Sequence, residues 1–171
     1  MPTLLLVRHA QAQLFAGRDE ERALTSDGVR TARMVGRMLA VTGTPDRAVV
    51  STAWRARQTL DEAMDAGGWK APVMPSDALY GGGAPDVLEA IADEAAGCAT
   101  LLVVGHEPWC SGLVGLLTGA QLRMTTGALA TMEVGPGWDA LDPQWCTLTA
   151  FVPAWLARPL EDERRATGGL R

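Results

Sequence analysis

Cysteine, histidine and long apolar runs are all scarce in this chain of 171 residues. Cys98, Cys110 and Cys146 are odd in number and widely spaced, so no disulfide framework is written into the sequence. Unpaired buried thiols in a reducing, cytoplasmic compartment are expected instead, and none of the three stands in a nucleophile setting. No apolar run approaches the length of a membrane span, and Met1-Pro2-Thr3 leads towards a strand without a basic leader segment. Positive charge is not in excess: a net charge of −5 argues against a surface built for nucleic acid or an anionic membrane. Lysine is almost missing, with Lys70 alone among fifteen lysines and arginines, a bias that reads as compositional before functional. The triplet Gly81-Gly82-Gly83 has neither Walker nor dinucleotide spacing, which leaves a mobile lid or a plain linker. No repeat, linker or second domain is visible, so residues 1–171 read as one domain large enough to bury a proper core.

What is present is an alternation of buried strands and amphipathic helices. Leu4-Leu5-Leu6-Val7 is aliphatic throughout, as in a strand covered on both faces. A polar loop follows from Gln11 to Leu24. Thr25-Ser26-Asp27-Gly28 then signals a helix start, continued at helical spacing by Val29, Ala32, Val35 and Leu39 and stopped by Gly43-Thr44-Pro45. Arg30, Arg33 and Arg37 form the opposite, solvated stripe. Ala48-Val49-Val50 is a second strand. Ser51 or Thr52 is placed to cap the next helix, whose apolar face is Ala56, Leu60, Ala63 and Met64 and whose end is Gly67-Gly68. Ala71 to Met74, between prolines, suits an edge strand, and Ser76 to Ala84 a loop. Pro85 opens a helix with Leu88, Ile91, Ala92 and Ala95 inward; Thr100 to Val104 is another aliphatic strand, and Pro108 begins a helix containing Leu113, Leu116 and Leu117. Ala128–Val134 and Trp145–Val152 read as two last strands, with Trp138, Trp145 and Trp155 as packing residues. Arg158 to Arg171 reads as a short helix or a frayed tail.

The two histidines of the chain, His9 and His106, both stand where an aliphatic strand ends. In α/β proteins the carboxyl ends of strands face the ligand crevice. Arg8 precedes His9, and Arg55 lies at the start of the helix after the second strand, sharing a face with Thr59. Planar, permanently charged guanidiniums beside imidazoles at helix N-termini suit a phosphate-like anion with a base or nucleophile next to it. No carboxylate stands at ligand spacing from either histidine, which weighs against a two-histidine metal site.

These residues carry a resemblance. Leu6-Val7-Arg8-His9-Ala10 resembles the R-H-G/A motif of the histidine phosphatase superfamily. Ser51-Thr52-Ala53-Trp54-Arg55-Ala56-Arg57-Gln58-Thr59 is similar to its S-P-x-x-R-A-x-Q-T segment, with Thr52 in place of proline, and Val104-Gly105-His106-Glu107-Pro108 to its second-histidine motif. Arg22-Ala23-Leu24-Thr25 followed by Gly28, the short length and Gly105-His106-Glu107-Pro108 are nearest to the SixA-type phosphohistidine phosphatases. The resemblance runs from about Thr3 to about Val134. It implies a three-layer α/β/α sandwich around a mixed, mostly parallel sheet. It also implies that His9 attacks phosphorus and becomes a phosphohistidine, that Arg8, Arg22 and Arg55 hold the phosphoryl oxygens, and that His106 donates to the charge of the transition state. The Glu107 backbone N–H is a further anion contact. No metal or cofactor is implied, since guanidinium and imidazole supply the charge.

Mutase-like members of the superfamily use a glutamate as general acid, and here the corresponding segment is Ala78-Leu79-Tyr80-Gly81-Gly82-Gly83, without a carboxylate. Asp19, Glu20 or Asp86 is left to supply a proton, and no spacing selects among them. A missing acid fits phosphohistidine, whose imidazole leaves with little help. The expected substrate is therefore a phosphorylated protein, with a small phosphorylated metabolite or nucleotide as the alternative; there, Gly81–Gly83, Trp54 and Trp109 are candidate pocket walls. A non-catalytic phosphate-binding domain is the third possibility, although binding alone does not require a nucleophilic histidine.

Overall fold

Alternation along the first strand sets the layers of the protein. In β1 (Thr3–Arg8), Leu4 and Leu6 enter one apolar core while Leu5 and Val7 enter another, because successive strand side chains point to opposite faces. A sheet strand apolar on both faces needs helices on both sides. The computed structural model, which describes residues 1–157, supplies them; the expectation for Arg158–Arg171 lies outside the described residues. Helices α1 (Ser26–Thr42) and α2 (Trp54–Gly67) cover one face through Val35, Leu39, Ala56, Leu60 and Ala63. On the other, α4 (Ala84–Ala95) and α5 (Trp109–Thr118) bring Val87, Ile91, Leu113 and Leu117 against Leu4, Leu6, Leu101 and Val103.

The sheet has six strands in the order β3-β2-β4-β1-β5-β6. β2 (Arg47–Ser51), β3 (Val73–Ser76), β4 (Thr100–Gly105) and β1 run parallel. β5 (Leu129–Val134) and β6 (Cys146–Val152) extend it antiparallel beyond β1. This is the mixed, mostly parallel three-layer sandwich expected. β1 and β4 are neighbours in register, Arg8 opposite Gly105, so the two histidines that follow them leave the sheet side by side.

Local chemistry explains the elements. Thr25 caps α1 by accepting from the Gly28 N–H at 3.0 Å. Gly28 is required, since a Cβ there would stand 2.0 Å from the Gln11 carbonyl oxygen. Gly105 is likewise fixed by packing, because a Cβ would lie 1.9 Å from the Trp109 ring. Several expectations need correction. Neither Ser51 nor Thr52 caps α2: its N-cap is Ala53, while Ser51 ends β2 and Thr52 donates to Asp77 at 2.8 Å. The edge strand is Val73–Ser76, displaced by two residues from the expected Ala71 to Met74. The segment Ser76 to Ala84 is not all loop, for Ala78–Gly81 forms the short helix α3, anchored by the fully buried Leu79. In α4 the buried set is Val87, Ile91 and Ala95 at i, i+4, i+8; Ala92 faces solvent. Leu116 is largely exposed. Trp145 and Trp155 are exposed as well, so only Trp138 of the three tryptophans packs, donating to the Cys98 carbonyl at 2.7 Å. All three cysteines are buried, and none is in a disulfide.

Candidate active site

β1 and β4 deliver the centre of the site. The His9 N–H donates to the Gly105 carbonyl at 2.9 Å, extending the parallel pairing one residue past the strands, and the two imidazole centroids stand 4.9 Å apart. Both rings are nearly out of solvent, at 8% exposure for His9 and 6% for His106. The Nδ1 of His9 lies 2.7 Å from the Ala10 carbonyl oxygen. A carbonyl only accepts, so Nδ1 carries the proton and Nε2 keeps its lone pair, which takes a hydrogen bond from Arg55 Nε at 3.3 Å. Burial pushes the His9 pKa down to about 4, against the pull of the Ala10 carbonyl, with Arg55, Arg8 and Arg22 lowering it further. At neutral pH this imidazole is uncharged.

His106 is held the other way round. Its Nε2 lies 2.7 Å from Ser51 Oγ, at the end of β2. Its Nδ1 is buried without a hydrogen-bond partner among the described residues, and so is Arg8 Nε. Burial first, then the neighbouring His9 and Arg55, bring the His106 pKa to about 3.

Three arginines converge here. Arg8 is anchored through Nη1 to the Met124 carbonyl at 2.8 Å. Arg55, only 6% exposed, is held from α2, where Thr59 Oγ1 donates to its carbonyl at 2.6 Å and accepts from the Ala10 N–H at 3.0 Å. Arg22 donates through Nε to the Gln13 carbonyl at 2.6 Å. Asp19 ties the last two together: its carboxylate accepts from Arg22 Nη1 at 2.9 Å and Arg55 Nη2 at 3.0 Å, and its carbonyl from Arg55 Nη1 at 2.8 Å. The Tyr80 hydroxyl donates to the same carboxylate at 3.0 Å. Arg8, His9, Arg22, Arg55, His106 and Glu107 border one cavity of about 350 Å³. A larger apolar cleft of about 580 Å³, between α1 and β5–β6, contains neither histidine. Among the described residues no group of three or more His, Cys, Asp or Glu is placed to hold a metal.

The proton-donor candidates fare differently from the rest. The hydrogen bond from Arg22, with those from Tyr80 and Arg55, lowers the Asp19 pKa to about 2, so this side chain is a carboxylate and not an acid at neutral pH. Glu20 turns to Arg18 at 2.7 Å. Asp86 accepts from the Gly83 N–H at 2.8 Å and belongs to the start of α4. Glu107 lines the cavity, and its carboxylate accepts from Ser111 N at 3.1 Å and from Ser111 Oγ. Trp109 is buried with its Nε1 donating to the Leu79 carbonyl, and neither it nor Trp54 borders the cavity.

Ser51 and Tyr80 escaped sequence reasoning as site residues. Ser51 looks like a helix cap, and only the adjacency of β2 and β4 places it under His106. Tyr80 lies in a glycine-rich stretch, yet its ring meets His106 edge-on at 5.7 Å and sits 5.9 Å from the Arg55 guanidinium carbon.

Comparison with known proteins agrees with this geometry. Residues 4–80 match the profile of the Histidine phosphatase superfamily (branch 1). An uncharacterized protein of Mycobacterium tuberculosis H37Rv is 34% identical over 158 residues, covering 85% of this chain and 98% of its own. Phosphohistidine phosphatase SixA of Escherichia coli K12 is 32% identical over 138 residues, covering 77% of this chain and 84% of its own. A SixA-type structure from Nakamurella multipartitia superposes with a TM-score of 0.78 at 35% identity, over 88% of this chain and 95% of that one. SixA in complex with tungstate gives a TM-score of 0.78 at 25% identity, over 90% and 98%. By fold, by relatives and by the two strand-end histidines among arginines, this chain belongs to the histidine phosphatase superfamily and is a phosphatase.

Proposed function

We propose that this phosphatase hydrolyses phosphohistidine in a protein through a covalent phosphohistidine on His9. The observation that carries the reading is the tautomer of His9: Nδ1–H is spent on the Ala10 carbonyl, and an unprotonated Nε2 is left at the cavity among guanidiniums. Nε2 forms a bond to phosphorus while the substrate P–N bond breaks, its electron pair going to the departing imidazole. Water then forms a P–O bond, the His9 N–P bond breaks, and its electron pair returns to Nε2 as the water's proton goes to solvent. Arg8 Nε and His106 Nδ1, both buried and unpartnered among the described residues, suit phosphoryl oxygens. Ser51 Oγ accepts from the Ala53 N–H at 3.3 Å and has its own proton to give to His106 Nε2, the arrangement in which the ring proton sits on Nδ1. Tungstate, the ligand of the SixA neighbour, is an oxyanion of the same shape as phosphate.

Substrate class follows from the missing acid. An alkoxide leaving group needs a proton at its oxygen; Asp19 is held ionised, and the Glu107 carboxylate, the one that borders the cavity among the described residues, is engaged by Ser111 N and Oγ. The other ring nitrogen of phosphohistidine is basic and takes a proton from solvent; in that form the ring leaves as neutral imidazole and asks for no enzyme acid. The test is substrate profiling with a phosphohistidine peptide, phosphoramidate and sugar or glycerate phosphates. P–N substrates are expected to exceed P–O esters in kcat/KM by about 100-fold or more, the usual worth of a missing general acid. Equal or faster turnover of a carbon ester overturns the assignment. Asp19→Asn, which removes the charge but keeps the shape, is expected to retain P–N hydrolysis within about tenfold; a loss of 10³ or more would make Asp19 the acid after all.

A further inference from the structure

The loop between β1 and α1 leaves the site and returns to it. Its neck is closed by the Ala12–Leu24 bridge, by the Gln13 N–H donating to the Ala23 carbonyl at 2.8 Å, and by Arg22 donating to the Gln13 carbonyl. On the returning limb Asp19, paired with Arg22, accepts from Arg55, so the loop is tied to the catalytic residues at its base. Its outgoing limb carries the opposite chemistry. Leu14 is 79% exposed and also borders the cavity, and Phe15 beside it is 86% exposed. Two adjacent large apolar side chains in water, next to a polar cavity, gain nothing from the fold that holds them. Such pairs mark contact surfaces.

We infer that Leu14 and Phe15 are a docking prong for the folded protein that carries the phosphohistidine. This rests on the substrate class proposed above and adds to it the surface that selects a protein over a small phosphoramidate. The reason is reach. His9 is recessed at 8% exposure, and a phosphoryl group on a histidine lies no further than one side chain from its own backbone. A protein that presents it to His9 Nε2 must press its surface on the rim, which Leu14 borders with Phe15 beside it. A free small molecule fills the 350 Å³ cavity without touching Phe15, which is not among the residues lining it. Aromatic side chains at the centre of a contact lose the most binding on truncation.

The test compares Phe15→Ala, Phe15→Tyr and wild type on three substrates: phosphoramidate, a phosphohistidine peptide, and a folded protein phosphorylated on a surface histidine by incubation with phosphoramidate. Phe15→Ala is expected to raise KM for the folded phosphoprotein about tenfold, equivalent to 1.4 kcal/mol of lost contact. Its kcat, and its turnover of phosphoramidate, are expected to match wild type; Phe15→Tyr restores the low KM. An unchanged KM for the phosphoprotein overturns the prong. An equal rise in KM for phosphoramidate also overturns it, by making Phe15 a wall of the cavity. If wild type does not hydrolyse the phosphoprotein at all, the substrate reading itself fails, a result distinct from either.

Discussion

His9 and His106 are near-twins by sequence and opposites in use. Both follow an aliphatic strand, both are buried, and both have pKa values well below the ordinary 6.5, at about 4 and about 3. They differ in which nitrogen is tethered. His9 uses Nδ1 on a carbonyl and keeps an unprotonated Nε2 that accepts from Arg55; His106 uses Nε2 on Ser51, and its Nδ1 has no hydrogen-bond partner among the described residues. In the proposed mechanism one ring offers an electron pair and the other an N–H, from almost the same place. The difference comes from what meets each ring: an acceptor-only carbonyl on His9 Nδ1 with the Arg55 donor on its Nε2, and a hydroxyl able to donate on His106 Nε2.

That contrast is breakable in graded steps. His9→Ala removes the only proposed nucleophile, and kcat on a phosphohistidine peptide is expected to fall on the order of 10⁴-fold, with no phosphoenzyme trapped by acid-free gel electrophoresis. Comparable turnover by the variant would end the covalent mechanism. His106→Ala is expected to cost about 10²–10³ in kcat, the usual price of one transition-state donor, while a phosphoenzyme still forms slowly. Ser51→Ala tests the tether alone: roughly tenfold in kcat with KM little changed, because the ring stays but its tautomer is no longer assigned. A Ser51→Ala variant indistinguishable from wild type would refute the tautomer argument. The smallest effect is in stability. Both histidines titrate lower in the folded chain than in the unfolded one, so the unfolded state binds more protons between about pH 6.5 and 4. Their contribution is full above pH 6.5 and is lost as the pH falls through about 4 for His9 and about 3 for His106. The thermal midpoint of wild type is expected to drop across that interval more steeply than that of His9→Ala, and parallel curves would contradict the assigned burial.

Much of this was legible in the chain, and the reason is local. A run such as Leu4 to Val7 has only one comfortable environment, a strand covered on both faces, and its abrupt end in Arg8-His9 marks where the chain meets solvent and ligand. Thr25 with Gly28, and the 3.6-residue spacing of α1, are short-range signals that the fold respects. The errors fell where long-range pairing decides. Ser51 satisfies every local rule for a helix cap, yet its hydroxyl is turned to His106, 55 positions away. Tyr80 reads as part of a linker until α3 carries it over the site. Asp19 reads as a candidate acid until Arg22 and Arg55 close on it from two different elements.

By itself, then, the sequence determined the alternation of layers, the elements that bear the chemistry and the kinds of group assembled, because burial patterns and caps act over a few residues. Tertiary structure decided how those groups are buried and brought together. Pairing β1 with β4 and β4 with β2 sets the two rings side by side and puts Ser51 on His106, 55 positions away, so that only the His9 Nδ1 proton answers to a chain neighbour, the Ala10 carbonyl.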